Sequence, residues 1–514
     1  MQKFKWALAA VAAAATVVVM TACGSAPGGP TVDIASGTVI RNVNVVDTRT
    51  GAIASGRAVV YDRGAIQQVV ADASVKLGAN VRVIDGSGKY LVPAYLDMHT
   101  HSLPAAVFQK APMWPMMISH GITGIREMAG APPLIAAARG FNAARAAGTL
   151  DAPEVLQIPG PPIVGVVTAE AGVQAVMATK GMGGSFVKLV GAGPDALPVI
   201  LKTARDQGLD VAGHLSPGGT ALDMAKHGMK AVEHLGGIWS IALDCADDQA
   251  AIRADLVAGK GAKMPAPFPP TYPVSPFRFS AGDAPFVKRA METYNATTCD
   301  SVTRSLAASS TWQVPTMIRL KTMTNSDAPE FVNDPNLKYV DPTTRALWKQ
   351  LSSEFTALQP DTAPPVFRAS YGQFMTALTL WHRNGGASKT LAGTDIGGIW
   401  VIPGVSLHQE FAELKKGGFT PLEVLQSTTI NGARFLGREA TMGTVEPGRN
   451  ADLVLLDADP ISDVANLARI AGVVNAGKYH DRAALDALKD GTARAAATAP
   501  LRNVSAVLDP THKH

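Results

Sequence analysis

A chain of 514 residues, 47% of them hydrophobic, is long enough for more than one packed unit and too apolar to be disordered. Its formal net charge of +4 is small for that length and is not gathered in a basic stretch, which argues against a nucleic-acid partner. Aromatic residues are only 6% while glycine reaches 49, a balance that suits an α/β protein with many tight loops better than a stacking platform.

The first segment reads as an address. MQKFKW carries Lys3 and Lys5, and ALAAVAAAATVVVM is an apolar run of signal length, short for a membrane span. MTACG, Met20 to Gly24, resembles the lipobox of bacterial lipoproteins. That implies cleavage before Cys23, lipidation of Cys23 and attachment to a membrane outside the cytoplasm. Gly24 after the cysteine leans towards the outer membrane, so the expected location is a lipoprotein anchored at the periplasmic face. The alternative is an ordinary signal peptide with an incidental cysteine. Residues 1–22 are then a leader and 23–37, rich in Gly, Ser and Pro, a flexible tether. Cys245 and Cys299 remain; an oxidising compartment would allow a disulfide, and the sequence leaves open whether they meet.

Residues 38–93 alternate apolar and polar positions between turn signals such as DGSG, which reads as small β-strands. From 94 to 437 the rhythm changes: GITGIREM precedes PPLIAAARGFNAARAAG, GSFVKLVG precedes DALPVILKTARDQG, and LDVAGHL precedes TALDMAKHG. Strand then helix, repeated over this length, predicts a (β/α)8 TIM-like barrel. An irregular Pro-rich insertion, about 240–310, interrupts it around KMPAPFPPTYPVSPFRF and is expected to be a lid, a binding loop or a plain surface insertion. Residues 438–480 return to short strands, so a small β-sandwich domain is expected from both ends of the chain, followed by a tail, 481–514.

The chemistry-bearing residues fall at expected strand ends. In YLDMHTH, His99 and His101 share a strand face, a pattern that alone fits a metal site or a polar turn. Lys188 sits inside the apolar strand GSFVKLVG, where an ammonium must reach water, be paired, or become neutral and reactive enough to add CO2 as a carbamate. His214 ends LDVAGHL, His234 ends KAVEHL, and Asp395 follows the apolar run of KTLAGTD. Other histidines have plainer readings: His120 and His227 in packing or on the surface, His408 at a helix start or lining the pocket, and His480, His512 and His514 near the tail.

With these residues the chain resembles the amidohydrolase superfamily, over nearly all of its mature length. IDGSGKYLVPAYLDMHTH is similar to that family's entry into the barrel. SLHQEFAELKKGGFTPLEVLQSTTINGARFLG and GTVEPGRNADLVLLDADPISDV are similar to the close of its imidazolonepropionase-related members. The resemblance implies two divalent ions, zinc most often, with manganese or cobalt also fitting the donors. It assigns His99, His101 and Asp395 to one ion, His214 and His234 to the other, and carboxylated Lys188 to both. It also implies attack by a bridging hydroxide on a substrate carbonyl, with Asp395 as general acid/base. Lys188 favours a two-metal hydrolase over a mononuclear deaminase. HSLP after His101 lacks the Arg of cyclic-ureide enzymes. The implied substrate is therefore a small-molecule amide, a dipeptide or an N-acyl amino acid. The alternatives are the deaminase and a non-catalytic metal- or ligand-binding lipoprotein. The third-strand region, EVLQIPGPPIVG, and the Pro-rich insertion depart from the family pattern.

Overall fold

The computed structural model describes residues 31–109, 111–263, 271–359 and 362–502. The expected leader, Cys23, His512 and His514 lie outside the described residues. Among those described, no helix is long and apolar enough to cross a membrane.

Both ends of the chain build one mixed sheet. Its strands are β1 (Val32–Val46), β2 (Ile53–Asp62), β3 (Ala65–Ala71), β4 (Val75–Asp85) and β5 (Tyr90–Pro93) from the N-terminal part. The central region follows with β6 (Tyr95–Thr100), β7 (Ile122–Glu127), β8 (Glu154–Gln157), β9 (Phe186–Leu189), β10 (Asp210–Gly213), β11 (Met229–Glu233) and β12 (Trp312–Val314). The C-terminal part adds β13 (Leu453–Leu456), β14 (Ile470–Asn475) and β15 (Lys478–Asp481). The first sheet has eight strands, in the order β15-β14-β13-β5-β1-β2-β3, with β4 on β1. The seam is β5 on β13, antiparallel, with Leu453 opposite Pro93 and Leu455 opposite Leu91. Alternating Ile40, Leu91, Leu453 and Leu455 point into one shared core, which is why the two ends associate.

Two expectations are corrected here. Residues 32–37 were expected in the tether, but they are the start of β1: Val32 and Ile34 pair in parallel with Val75 and Leu77, and Ile34 is buried. The alternation of Val32 and Ile34 outweighs the Gly and Pro before it. Among its described residues the expected irregular stretch at 240–310 is largely helical, with helices Gln249–Val257, Ala284–Glu292 and Ala296–Ala308. Proline density is confined to the part between them, where Pro276–Phe279 forms a short 3-10 turn. A disulfide joins Cys245 and Cys299. The expected tail begins with a helix, Arg482–Thr498.

The central region is α/β with parallel sheets: β6-β7-β8, and β12-β11-β10-β9. Their residues are buried on both faces, as in Ile122–Glu127 and Phe186–Leu189, because helices cover the outside. Helix Ala196–Asp206 shows how: Ala196, Leu197, Ile200, Leu201 and Ala204 make one apolar stripe at three- and four-residue spacing. Thr220 and Asp223 close a capping box at the start of Ala221–Lys226. Parallel bridges link the two sheets, Ile163 with Leu189 on one side, and Gln313 with Thr390 and Thr100 with Ile396 on the other.

Candidate functional site

All six residues singled out in the sequence stand at the C-terminal ends of these parallel segments or within them. His99 is in β6, and His101 follows it directly; Lys188 is in β9; His214 follows β10 and His234 follows β11. Asp395 lies in the 390–396 segment, where its N–H donates to His99 O at 2.8 Å. Gly393, two residues earlier, packs so closely on β6 that a Cβ there would stand 2.9 Å from His99 Cβ.

The geometry converges on one carboxylate. His99 Nε2 and His101 Nε2 lie 3.3 and 3.2 Å from Asp395 Oδ1, and His234 Nε2 is 3.9 Å from Oδ2. The rings of His99 and His234 are 4.5 Å apart between centroids, and those of His214 and His234 are 5.0 Å apart. Burial holds His214 and His234 neutral, well below the ordinary imidazole value. Burial alone would raise the Asp395 carboxyl, but His99, His101 and Arg319 hold it ionised, well below the ordinary carboxylate range.

Whether these residues suit a metal ion can be judged on the donors themselves. Ligand atoms of His99, His101 and Asp395 all lie within 4.8 Å of one another. His99 Nε2 is fully buried and lacks a hydrogen-bond partner, although Asp395 is close. Lys188 Nζ is likewise buried without a partner. Burial, opposed by Glu233 and Asp395, lowers its amine to about 8, so the neutral form is within reach near neutral pH. Buried nitrogens without protein partners beside an ionised carboxylate suit a cation, and the donor set fits a divalent ion of the zinc type.

Around this cluster stand residues that the sequence alone does not single out. Glu233 Oε2 accepts from His99 Nδ1 at 2.7 Å, while Arg126 donates to the other Glu233 oxygen and to Met98 O. Burial pushes the Glu233 carboxyl up, but Arg126, His99 and Lys188 outweigh it and bring it down to about 2. A carboxylate can only accept, so the proton of His99 sits on Nδ1 and Nε2 carries the free lone pair. His234 Nδ1 pairs with Thr316 Oγ1 at 2.6 Å, a contact that does not engage its Nε2. Arg319 Nε donates to Asp395 Oδ2 at 2.9 Å. Glu127 Oε1 accepts from the N–H groups of Ser102 and Leu103 at 2.8 and 3.0 Å, fixing the turn after His101. Three of these non-glycine residues, His234, Thr316 and Asp395, have φ of 57, 44 and 55°. Each such backbone costs on the order of 1 kcal/mol, which the surrounding contacts must offset.

The remaining histidines lie elsewhere. His408, in helix Val405–Lys416, donates from Nε2 to His120 O at 3.1 Å. His227 is exposed, and His480 pairs with Asp151 at 3.0 Å.

Residues 384–479 match the amidohydrolase family. An imidazolonepropionase from Shouchella clausii (strain KSM-K16) is 47% identical over 62 residues, which is 12% of this chain and 14% of that protein. The match thus spans about a seventh of the curated relative's length. Two solved structures share the fold at length. A bottromycin amidohydrolase aligns over 92% of this chain and 93% of its own, at a TM-score of 0.63 and 20% identity. A Xaa-Pro dipeptidase with bound methionine in the active site aligns over 86% of this chain and 99% of its own, at 0.55 and 17%.

Proposed function

Since residues 384–479 belong to the amidohydrolase family, we propose that this chain is a metal-dependent hydrolase of a carbon–nitrogen bond in a small amide, a dipeptide or an N-acyl amino acid. The observation that carries the reading is the meeting of two parallel-segment ends, one carrying His99 and His101 and the other Asp395, beside the unpartnered Lys188 amine. In this reading the central region is a (β/α)8 barrel, and the sheet from both chain ends is its accessory β-sandwich domain. His99, His101 and Asp395 would hold one ion, His214 and His234 a second, and Lys188, as a carbamate, both. When bound, such ions polarise a carbonyl and make a water nucleophilic near neutral pH.

The chain's own residues do the rest. Glu233 keeps the His99 proton on Nδ1, and Thr316 pairs with Nδ1 of His234, so both rings present Nε2. Asp395 stays ionised and can take a proton from the attacking water and pass it to the leaving amine. Burial of His99, Lys188 and Asp395 excludes bulk water, which strengthens every charge interaction in the site. The dipeptide preference draws on the likeness to the Xaa-Pro dipeptidase fold. The proposed location, a periplasmic-face lipoprotein anchored through Cys23, draws on the leader and on the Cys245–Cys299 disulfide.

Purified protein should carry about two divalent ions and release free amino acid from a panel of dipeptides and N-acyl amino acids. One ion with ammonia release would indicate a deaminase, and full loading without turnover a binder. Lys188→Ala should lose at least one ion; retention of both would remove the carbamate from the scheme.

A further inference from the structure

Arg319 is the least expected member of the site. It lies in helix Met317–Thr324, just after β12, and its side chain is 1% exposed. A guanidinium buried this deeply needs strong partners, since leaving it unpaired costs several kcal/mol. Its partners are few and specific. Nε donates to Asp395 Oδ2, and Nη2 donates to Pro273 O and Val274 O at 2.8 and 2.9 Å. Nη1 has no hydrogen-bond partner, so the group is not arranged for its own satisfaction. Val274 O also accepts from Ile399 N at 3.0 Å, and Gly398 N donates to Asp395 O at 3.1 Å. Three segments, the turn after Asp395, the backbone at Pro273 and Val274, and the helix after β12, therefore meet on one guanidinium. A side chain at Gly398 is excluded by the same contact: its Cβ would stand 2.4 Å from Arg319 Cζ.

The consequence is a division of Asp395. Oδ1 faces His99 and His101, while Oδ2 accepts from Arg319 and stands 3.9 Å from His234 Nε2. An unrestrained carboxylate can bind a cation through both oxygens. We propose that Arg319 is a positioning residue that holds Asp395 Oδ2 through one lone pair, so that the carboxylate ligates through Oδ1 and keeps the other lone pair of Oδ2 for proton transfer, and that ties Pro273 and Val274 to that arrangement. This rests on the hydrolase reading above. A lysine could supply the charge to Oδ2 but not the second set of donors to Pro273 and Val274.

Cobalt(II) loaded into the purified full-length protein tests this without turnover, because its visible bands weaken as the coordination number rises. Arg319→Met should weaken the bands, as Oδ2 joins the ion. Gly398→Ala should do the same by displacing the guanidinium, and it serves if Arg319→Met fails to fold. Arg319→Lys should restore the parent spectrum yet speed tryptic cleavage at Arg278. With the preferred substrate, Arg319→Met should lower kcat about tenfold and leave KM within about threefold. Unchanged cobalt spectra in both Arg319→Met and Gly398→Ala, or a raised KM with kcat intact, would overturn the assignment. A parent protein that binds no cobalt would instead defeat the hydrolase reading itself.

Discussion

Replacing Cys245 and Cys299 together by alanine should lower stability by about 4 kcal/mol at 25 °C. The figure follows from the sequence separation of 54 residues that the bridge closes. Confining a loop of that length in the unfolded chain removes entropy worth roughly that amount. Both half-cystines are buried, so truncation also costs some packing, while relaxation around the site would return part of it. The bridge joins the residue capping helix Ile241–Asp244 to helix Ala296–Ala308, and the first of these begins directly after the loop that carries His234. Losing it should therefore loosen the 240–310 region before the parallel sheets. Urea titration followed by circular dichroism, with and without reductant, measures the effect. Reduced wild-type protein should fall to the stability of the double variant, and the variant should not respond to reductant. A difference below about 1 kcal/mol would refute the entropic argument. Two thiols from Cys245 and Cys299 reacting in denatured, unreduced protein would refute the bridge.

Other perturbations bear on the site and its support. Glu233→Gln weakens the acceptor that fixes the His99 proton and leaves Arg126 poorly paired. Metal affinity should fall about 10- to 100-fold by competitive chelator titration, and unchanged affinity would show that His99 needs no such orientation. Gly393→Ala forces a Cβ into contact with His99 and Val314, so a loss of about 1–3 kcal/mol is expected in chemical denaturation. Glu410 is buried, with one oxygen accepting from Ile318 N at 2.8 Å, and burial raises its carboxyl from 4.5 to about 8. The folded state therefore holds this proton between those values while the unfolded chain does not. Its contribution is full below pH 4.5 and is lost as pH rises through about 8. Glu410→Gln should remove that loss, so the variant gains on the parent between pH 6 and pH 9 by a few kcal/mol in denaturant titrations; parallel pH–stability curves would contradict the reasoning.

The parts of the site that were legible in the sequence share one property: a titratable residue at the end of an apolar run that a parallel strand would bury. His99, His101, Lys188, His214, His234 and Asp395 all carry that signal. Glu233 and Arg126 carry it too, inside AVEHL and GITGIREM, but each sits beside a more conspicuous residue or reads as a strand-end charge. Arg319 gives no such signal. In TMIRLKTMT it reads as one polar position on an amphipathic helix, and only the fold brings it to a carboxylate 76 residues later. The helices within 240–310 are obscured for a different reason, since the proline density of KMPAPFPPTYPVSP masks flanks that are helix-forming. The start of β1 was hidden by its neighbours, because Val32 and Ile34 gain their partner, β4, only through the tertiary fold.

The seam between β5 and β13 also sets a clock. The edge of β5 is complete only once Leu453 has been made, roughly 360 residues after Pro93. For a chain that emerges N-terminus first, from a ribosome or across a membrane, that is a long wait. Throughout it, the N-terminal strands present Tyr90–Pro93 as an open apolar edge, the kind of surface on which other chains add as strands. This protein's hazard is therefore concentrated in its birth rather than in its finished state. Its yield should depend on whatever shields that edge until the far end of the chain arrives.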